Sequence, residues 1–121
     1  MTRKEQRQKV WLKYNKHCAY CGKELEYRDM QIDHMKPKAY APYPNDKYSE
    51  VNSFGNLMPS CRRCNHYKRA LNLERFRRLI KTLHERIRSQ YISKVAIDYE
   101  IIRIEPFDGI FYFEKGGKED A

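Results

Sequence analysis

The sequence predicts a small α+β domain stapled by a metal ion, and three observations predict it. Two C-x-x-C pairs, Cys18-Ala19-Tyr20-Cys21 and Cys61-Arg62-Arg63-Cys64, bracket a long central stretch. Between them, Met30 to Met35 alternates as a short strand would, and a second short strand feeds Cys61. Helical patterns lie on either side, before Cys18 and from Asn65 onward.

At 121 residues the chain reads as one domain, 1–121. The hydrophobic fraction is 40%, and ten tyrosines supply part of it with a polar tip still to satisfy. Such a core has a modest margin, so a structural metal contributes usefully to stability. No apolar run approaches the ~20 residues of a membrane span. The N-terminus, Met1-Thr2-Arg3-Lys4-Glu5-Gln6-Arg7, has no apolar region behind it of the kind a secretory signal carries. A reducing cytoplasm is therefore the expected compartment. There, paired cysteines favour metal over the two disulfides they would form in a secreted protein. Each pair offers two thiolates to a tetrahedral zinc, and two pairs complete a four-cysteine site. The gap between them, residues 22–60, is 39 residues, long enough to require a fold of its own.

The formal charge is +9, and it is unevenly placed. Residues 61–88 hold ten Lys/Arg against two Glu, a net +8. Residues 89–121 hold four Lys/Arg against seven acids, a net −3. Basic charge beside the second cysteine pair suggests phosphates as partner, although a solvated helix face is the plainer reading of any charge run.

Taken in order, Thr2-x-x-Glu5 is a capping box for a helix over Glu5 to Tyr14. Its apolar Val10, Trp11 and Tyr14 cluster in the last turn, so that end packs while the Arg3/Lys4/Arg7 end stays wet. Cys18 to Cys21 with Gly22 forms a knuckle, glycine letting backbone amides turn toward the thiolates. On the strand Met30 to Met35, Asp33 and His34 leave on opposite sides unless the chain bends at Pro37. Residues 36–53, with Pro37, Pro42, Pro44, Tyr40, Tyr43 and Tyr48, form a long loop that either contacts DNA or packs over the site. Ser53 to Pro59 is a turn leading into the second strand. A helix runs from Asn65 to about Leu71, then Asn72 caps another over 73–88. In that helix Leu73, Phe76, Leu79, Ile80, Leu83 and Ile87 make one apolar stripe. Tyr91 to Tyr99 suggests a short helix. Ile101 to Ile104 and Ile110 to Phe113 suggest a β-hairpin around Glu105-Pro106-Phe107-Asp108-Gly109. Lys115 to Ala121 is expected to fray.

Singly, the polar candidates have plain readings. Asp33 suits a turn, His34 a satisfied core histidine, Asn56 a turn after Gly55, and Asn65 a helix cap. Their order says more: C-x-x-C, Ile-Asp-His, Gly-Asn-Leu, then C-x-x-C-Asn-x-x-Lys. That order resembles the HNH endonucleases over residues 11–73, with 74–114 supplying C-terminal helices and the hairpin. The resemblance implies a zinc-stapled ββα-metal core on two strands and a helix. It implies Asp33 as a ligand of a catalytic divalent ion, His34 as the general base, and Asn56 as the brace of the loop carrying His34. Asn65 matches the third motif position, a second ligand of that ion, with the adjacent His66 as the alternative. Cys18, Cys21, Cys61 and Cys64 match the structural zinc ligands.

The chemistry agrees. Cleaving a phosphodiester needs a deprotonated water, a charge sink for the phosphate and relief for the leaving oxygen. An imidazole takes a proton readily near neutral pH. Oxygen ligands favour Mg²⁺ or Mn²⁺ over zinc at the second site. Lys68, three residues after Asn65, is placed to stabilise the transition state or hold a neighbouring phosphate. Arg62, Arg63 and Arg69 are candidates for backbone contacts, which position DNA without reading it. One such site cuts one strand, so nicking is the elementary event; a double-strand break needs a homodimer, an accessory subunit or two successive nicks. The rival reading is a zinc-binding nucleic-acid module without catalysis.

Overall fold

Thr2 and Glu5 form the reciprocal cap that their spacing predicts. The Thr2 hydroxyl accepts from the Glu5 amide at 3.1 Å, and the Glu5 carboxylate accepts from the Thr2 amide at 3.0 Å. They start helix α1, Arg3–Leu12, in the computed structural model, which describes residues 1–116. Val10 is buried, and the Trp11 indole donates to the Leu25 carbonyl at 2.8 Å. Arg3 and Lys4 are exposed as expected, but Arg7 is not left wet. Its guanidinium donates to the Tyr27 and Met30 carbonyls and lies 4.9 Å from the Tyr27 ring centroid. The short 3₁₀ turn Tyr27–Asp29 that precedes the first strand leaves those carbonyls turned toward it.

The described residues divide into two units, and the first holds Met1–Leu73 together with the segment from Phe111. Its centre is an antiparallel pair, β1 at Gln31–His34 and β2 at Leu57–Ser60. Asp33 sits opposite Met58, and His34 opposite Leu57. All of β2 is buried. Pro59 cannot donate to a ladder, but its carbonyl accepts from the Ala19 amide at 2.8 Å, so the cysteine knuckle covers that edge. Helix α2, Arg62–Lys68, follows β2 directly, with the Cys61 sulfur accepting from the Cys64 amide as its cap. Two strands and this helix are the ββα arrangement expected of the stretch.

The C-terminal hairpin is not formed. Among the described residues the one sheet has two strands, β1 and β2. The aromatic alternation that reads as a strand instead pairs with the knuckle: the Tyr112 amide donates to Tyr20 and the Phe113 amide to Ala19, at 3.1 and 2.8 Å. Phe111 and Phe113 set their rings edge-on to Tyr20, at 5.3 and 6.2 Å between centroids. A partner some 90 residues distant in sequence outcompetes the local one because it buries Phe111 completely. A 3₁₀ turn, Tyr112–Lys115, then follows. Most of the segment expected to fray, from Gly117 on, lies outside the described residues.

The second unit, 74–110, contains most of α3 (Leu73–Lys81), then α4 (Leu83–Arg88) and α5 (Tyr91–Asp98). The single helix expected over 73–88 breaks at Thr82, whose hydroxyl donates back to the Leu79 carbonyl at 3.2 Å. Phe76 is fully buried, whereas Ile87, at the far end of the stripe, is 40% exposed. Arg77 anchors the irregular segment by donating to the Gly109 carbonyl at 2.7 Å. Among the described residues, no helix is long and apolar enough to cross a membrane.

Candidate active site and metal centre

Four sulfurs meet where the knuckle approaches the end of β2. Cys18 and Cys21 come from the knuckle, Cys61 from the position between β2 and α2, and Cys64 from the first turn of α2. Their Sγ atoms all lie within 4.8 Å of one another, and Cys21 and Cys61 are 3.9 Å apart. A tetrahedron built on Zn–S bonds of ~2.3 Å has edges of roughly 3.8 Å, so the four sulfurs fit zinc. Electrostatics point the same way. Hydrogen bonds from Cys21 and then Cys64 hold the Cys18 thiol far below its ordinary value. That first thiolate, by the same hydrogen bond, pushes Cys21 up to about 11 and raises Cys64 as well. A charge on Cys18 is favoured while charges on Cys21 and Cys64 are resisted, which is the condition a divalent cation relieves. Gly22, at φ +81°, turns the knuckle, and its amide donates to the Cys18 carbonyl.

Asp33 projects from β1 into the interior and is 5% exposed. The Tyr20 hydroxyl donates to Oδ2 at 2.5 Å. The Lys68 ammonium reaches Oδ2 at 3.2 Å and Oδ1 at 3.4 Å, and also donates to the His34 carbonyl at 3.1 Å. Burial raises the Asp33 carboxyl above its ordinary value, against the pull of Tyr20 and Lys68. Burial and then the Asp33 charge raise the Tyr20 phenol.

Lys68 is thus placed otherwise than its spacing suggested. It is fully buried, so it presents no charge to a phosphate in this arrangement. Helical position predicts which face a residue shares but not whether a neighbouring strand covers that face, and β1 covers this one.

His34 is half-buried, and one ring nitrogen, Nε2, lies 3.0 Å from the Asn52 side-chain oxygen. Asn56 ties down the loop beyond it. Its oxygen accepts from the Lys36 amide at 2.8 Å, and its nitrogen donates to the Lys36 and Val51 carbonyls at 3.0 and 2.8 Å. Asn56 also gives its own carbonyl to the Met35 amide. Asn65 donates to Gln31 Oε1 at 2.6 Å; Gln31 and Asp33 share one face of β1, so Asn65 stands beside Asp33 on that face. His66 is exposed and lines an open groove with Lys23, Arg28, Arg62 and Arg63. Arg62, Arg63 and Arg69 are exposed.

The structure therefore brings Asp33, His34 and Lys68 together, with Asn56 behind the loop and Asn65 alongside. Two participants carried no sequence signal. Tyr20 is one of the two spacer residues inside a C-x-x-C, and Asn52 lies in a loop without periodicity. A carboxylate and an amide oxygen on one sheet face are hard donors that suit Mg²⁺ or Mn²⁺. The Lys68 ammonium holds the Asp33 oxygens that such an ion would use.

Comparison with known proteins agrees with this architecture. No match among curated proteins reaches significance. Among solved structures, the crystal structure of the Type II-C Cas9 enzyme from Actinomyces naeslundii is similar, with a TM-score of 0.51 and 24% identity. The match covers 78% of this chain and 10% of that one, and at such identity it speaks for the fold alone. The family model for HNH endonuclease matches residues 18–70. With the cysteine cluster, the two strands and the following helix in place, residues 18–70 are similar to the HNH endonuclease family in both sequence and arrangement.

Proposed function

We propose that the chain, read as a single domain over 1–121, is a metal-dependent endonuclease that nicks DNA, with His34 as the general base. The observation that carries this reading is the presentation of His34: a half-exposed imidazole at the end of β1, on a loop braced by four hydrogen bonds of Asn56. A base held at a strand end by a rigid loop takes a proton from water with little reorganisation. Asp33 and Asn65 would hold a Mg²⁺ or Mn²⁺ ion, whose charge, when bound, relieves the phosphate and the leaving oxygen. Lys68 then acts as the fixed partner of Asp33 and of the His34 carbonyl. Arg62, Arg63 and Arg69 hold the DNA backbone.

Supercoiled plasmid incubated with Mg²⁺, Mn²⁺ or EDTA, beside a His34→Ala variant, tests this. Relaxed circles that need both metal and His34 are expected. A second reading, a non-catalytic zinc-binding nucleic-acid module, is favoured by the engagement of Asp33 by Tyr20 and Lys68. Intact plasmid that still shifts on a gel would support that reading instead.

A further inference from the structure

The long loop after β1 closes on one side chain, that of Asn52. Its amide nitrogen lies 3.1 Å from the Pro44 carbonyl and 2.8 Å from the Asp46 carbonyl. Asp46 is itself fixed, its carboxylate accepting from the Tyr48 amide. Two carbonyl oxygens facing one atom require that atom to be the NH₂ group. The reversed amide would set oxygen against oxygen at both contacts. The opposite end of the amide is therefore oxygen, and it faces His34 Nε2 at 3.0 Å. Oxygen can only accept, so Nε2 must carry a proton.

A neutral imidazole has one N–H, and with that proton on Nε2 the lone pair belongs to Nδ1. Among the described residues no hydrogen bond reaches Nδ1. His34 is half-buried, and its unpartnered Nδ1 is not among the side-chain nitrogens sealed from solvent, so it remains open to water.

We infer that Asn52 is a positioning residue that sets His34 in the Nε2–H form and aims Nδ1 outward as the proton acceptor. The inference rests on the endonuclease reading only for its use in catalysis; the setting of the ring stands on the amide network alone. It also assigns a role to the loop over 36–53, whose Pro44 and Asp46 carbonyls orient the amide that orients the base.

The test is the ¹⁵N–¹H correlation pattern of the imidazoles in zinc-loaded full-length protein, at a pH where the ring is neutral. His34 is assigned by comparison with His34→Ala. The expected wild-type pattern is a single tautomer protonated at Nε2. In Asn52→Ala, checked for retained zinc stoichiometry and circular dichroism, the ring relaxes toward the mixture seen in free histidine. Turnover then falls about 10-fold or more with KM little changed, as loss of an orienting partner does. A wild-type ring protonated at Nδ1 overturns the inference without any variant being needed. So does an Asn52→Ala protein that keeps one fixed tautomer and full turnover. A wild-type Nε2–H ring in a protein that cuts no DNA with any metal upholds the setting of the ring and overturns the nuclease reading.

Discussion

Lys68 ties helix α2 to strand β1. Its ammonium joins Asp33 on β1 to the carbonyl of His34, and none of it reaches solvent. A buried pair gives little net stability over an apolar replacement, but removing one partner leaves the other charge stranded. Lys68→Ala should therefore cost roughly 3–5 kcal/mol, read by urea denaturation of the zinc-loaded protein. A loss below about 1 kcal/mol, the level of a surface pair, would show that Asp33 is not held this way. Asn56→Ala removes three side-chain hydrogen bonds from the loop, each worth ~0.5–1.5 kcal/mol. The expected outcome is a folded protein with a looser loop and slower cleavage. Unchanged proteolytic susceptibility at residues 36–53 would contradict the bracing role.

At the scale of the element, the knuckle and the start of α2 depend on each other. Cys61 follows β2, caps α2 and belongs to the sulfur cluster, so Cys61→Ser should abolish zinc retention and cooperative unfolding together. His34→Ala should leave both intact while cleavage falls ~10²–10⁴-fold. Metal analysis and near-ultraviolet circular dichroism on the two variants separate structural from chemical loss. Gly22 is constrained twice: its φ is +81°, and a Cβ there would lie 2.7 Å from the Tyr112 ring. Gly22→Ala should lower the melting temperature and disturb the contact of the C-terminal aromatic segment with the knuckle. An unchanged melting temperature would argue that this segment docks loosely.

Across the whole molecule, a charge of +9 and a four-cysteine cluster that fits zinc set the expected responses to salt and pH. Zinc binding requires deprotonated thiols, so acidification should release the ion, and with it the fold. Zinc release followed with a chromogenic chelator during acid titration checks this; retention of zinc through full unfolding would refute the linkage. Each arginine among Arg62, Arg63 and Arg69 that neutralises a phosphate should lower the slope of log K against log[salt] by about 0.9 when changed to Ala. A slope left unchanged by all three substitutions would place the DNA elsewhere.

What the sequence by itself determined about this protein is whatever local spacing and chemistry decide. The capping box of Thr2 and Glu5, the strand carrying Asp33 and His34, and the two cysteine pairs each depend on residues at most a few positions apart. The motif order was sufficient to identify the HNH core, and the fourfold thiolate site follows from the pairs. The tertiary structure alone decided where the long side chains end. Lys68 turned inward because β1 lies over its face of α2, and Tyr20 met Asp33 because the knuckle folds back on the strands. The Ile110–Phe113 segment abandoned a hairpin because the knuckle backbone offered hydrogen bonds and a site that buries Phe111. Asn52 reached His34 across 18 residues through a loop with no periodic pattern. Periodicity specifies which face a residue occupies; burial, partners and the fixed orientation of an amide are properties of what packs against that face.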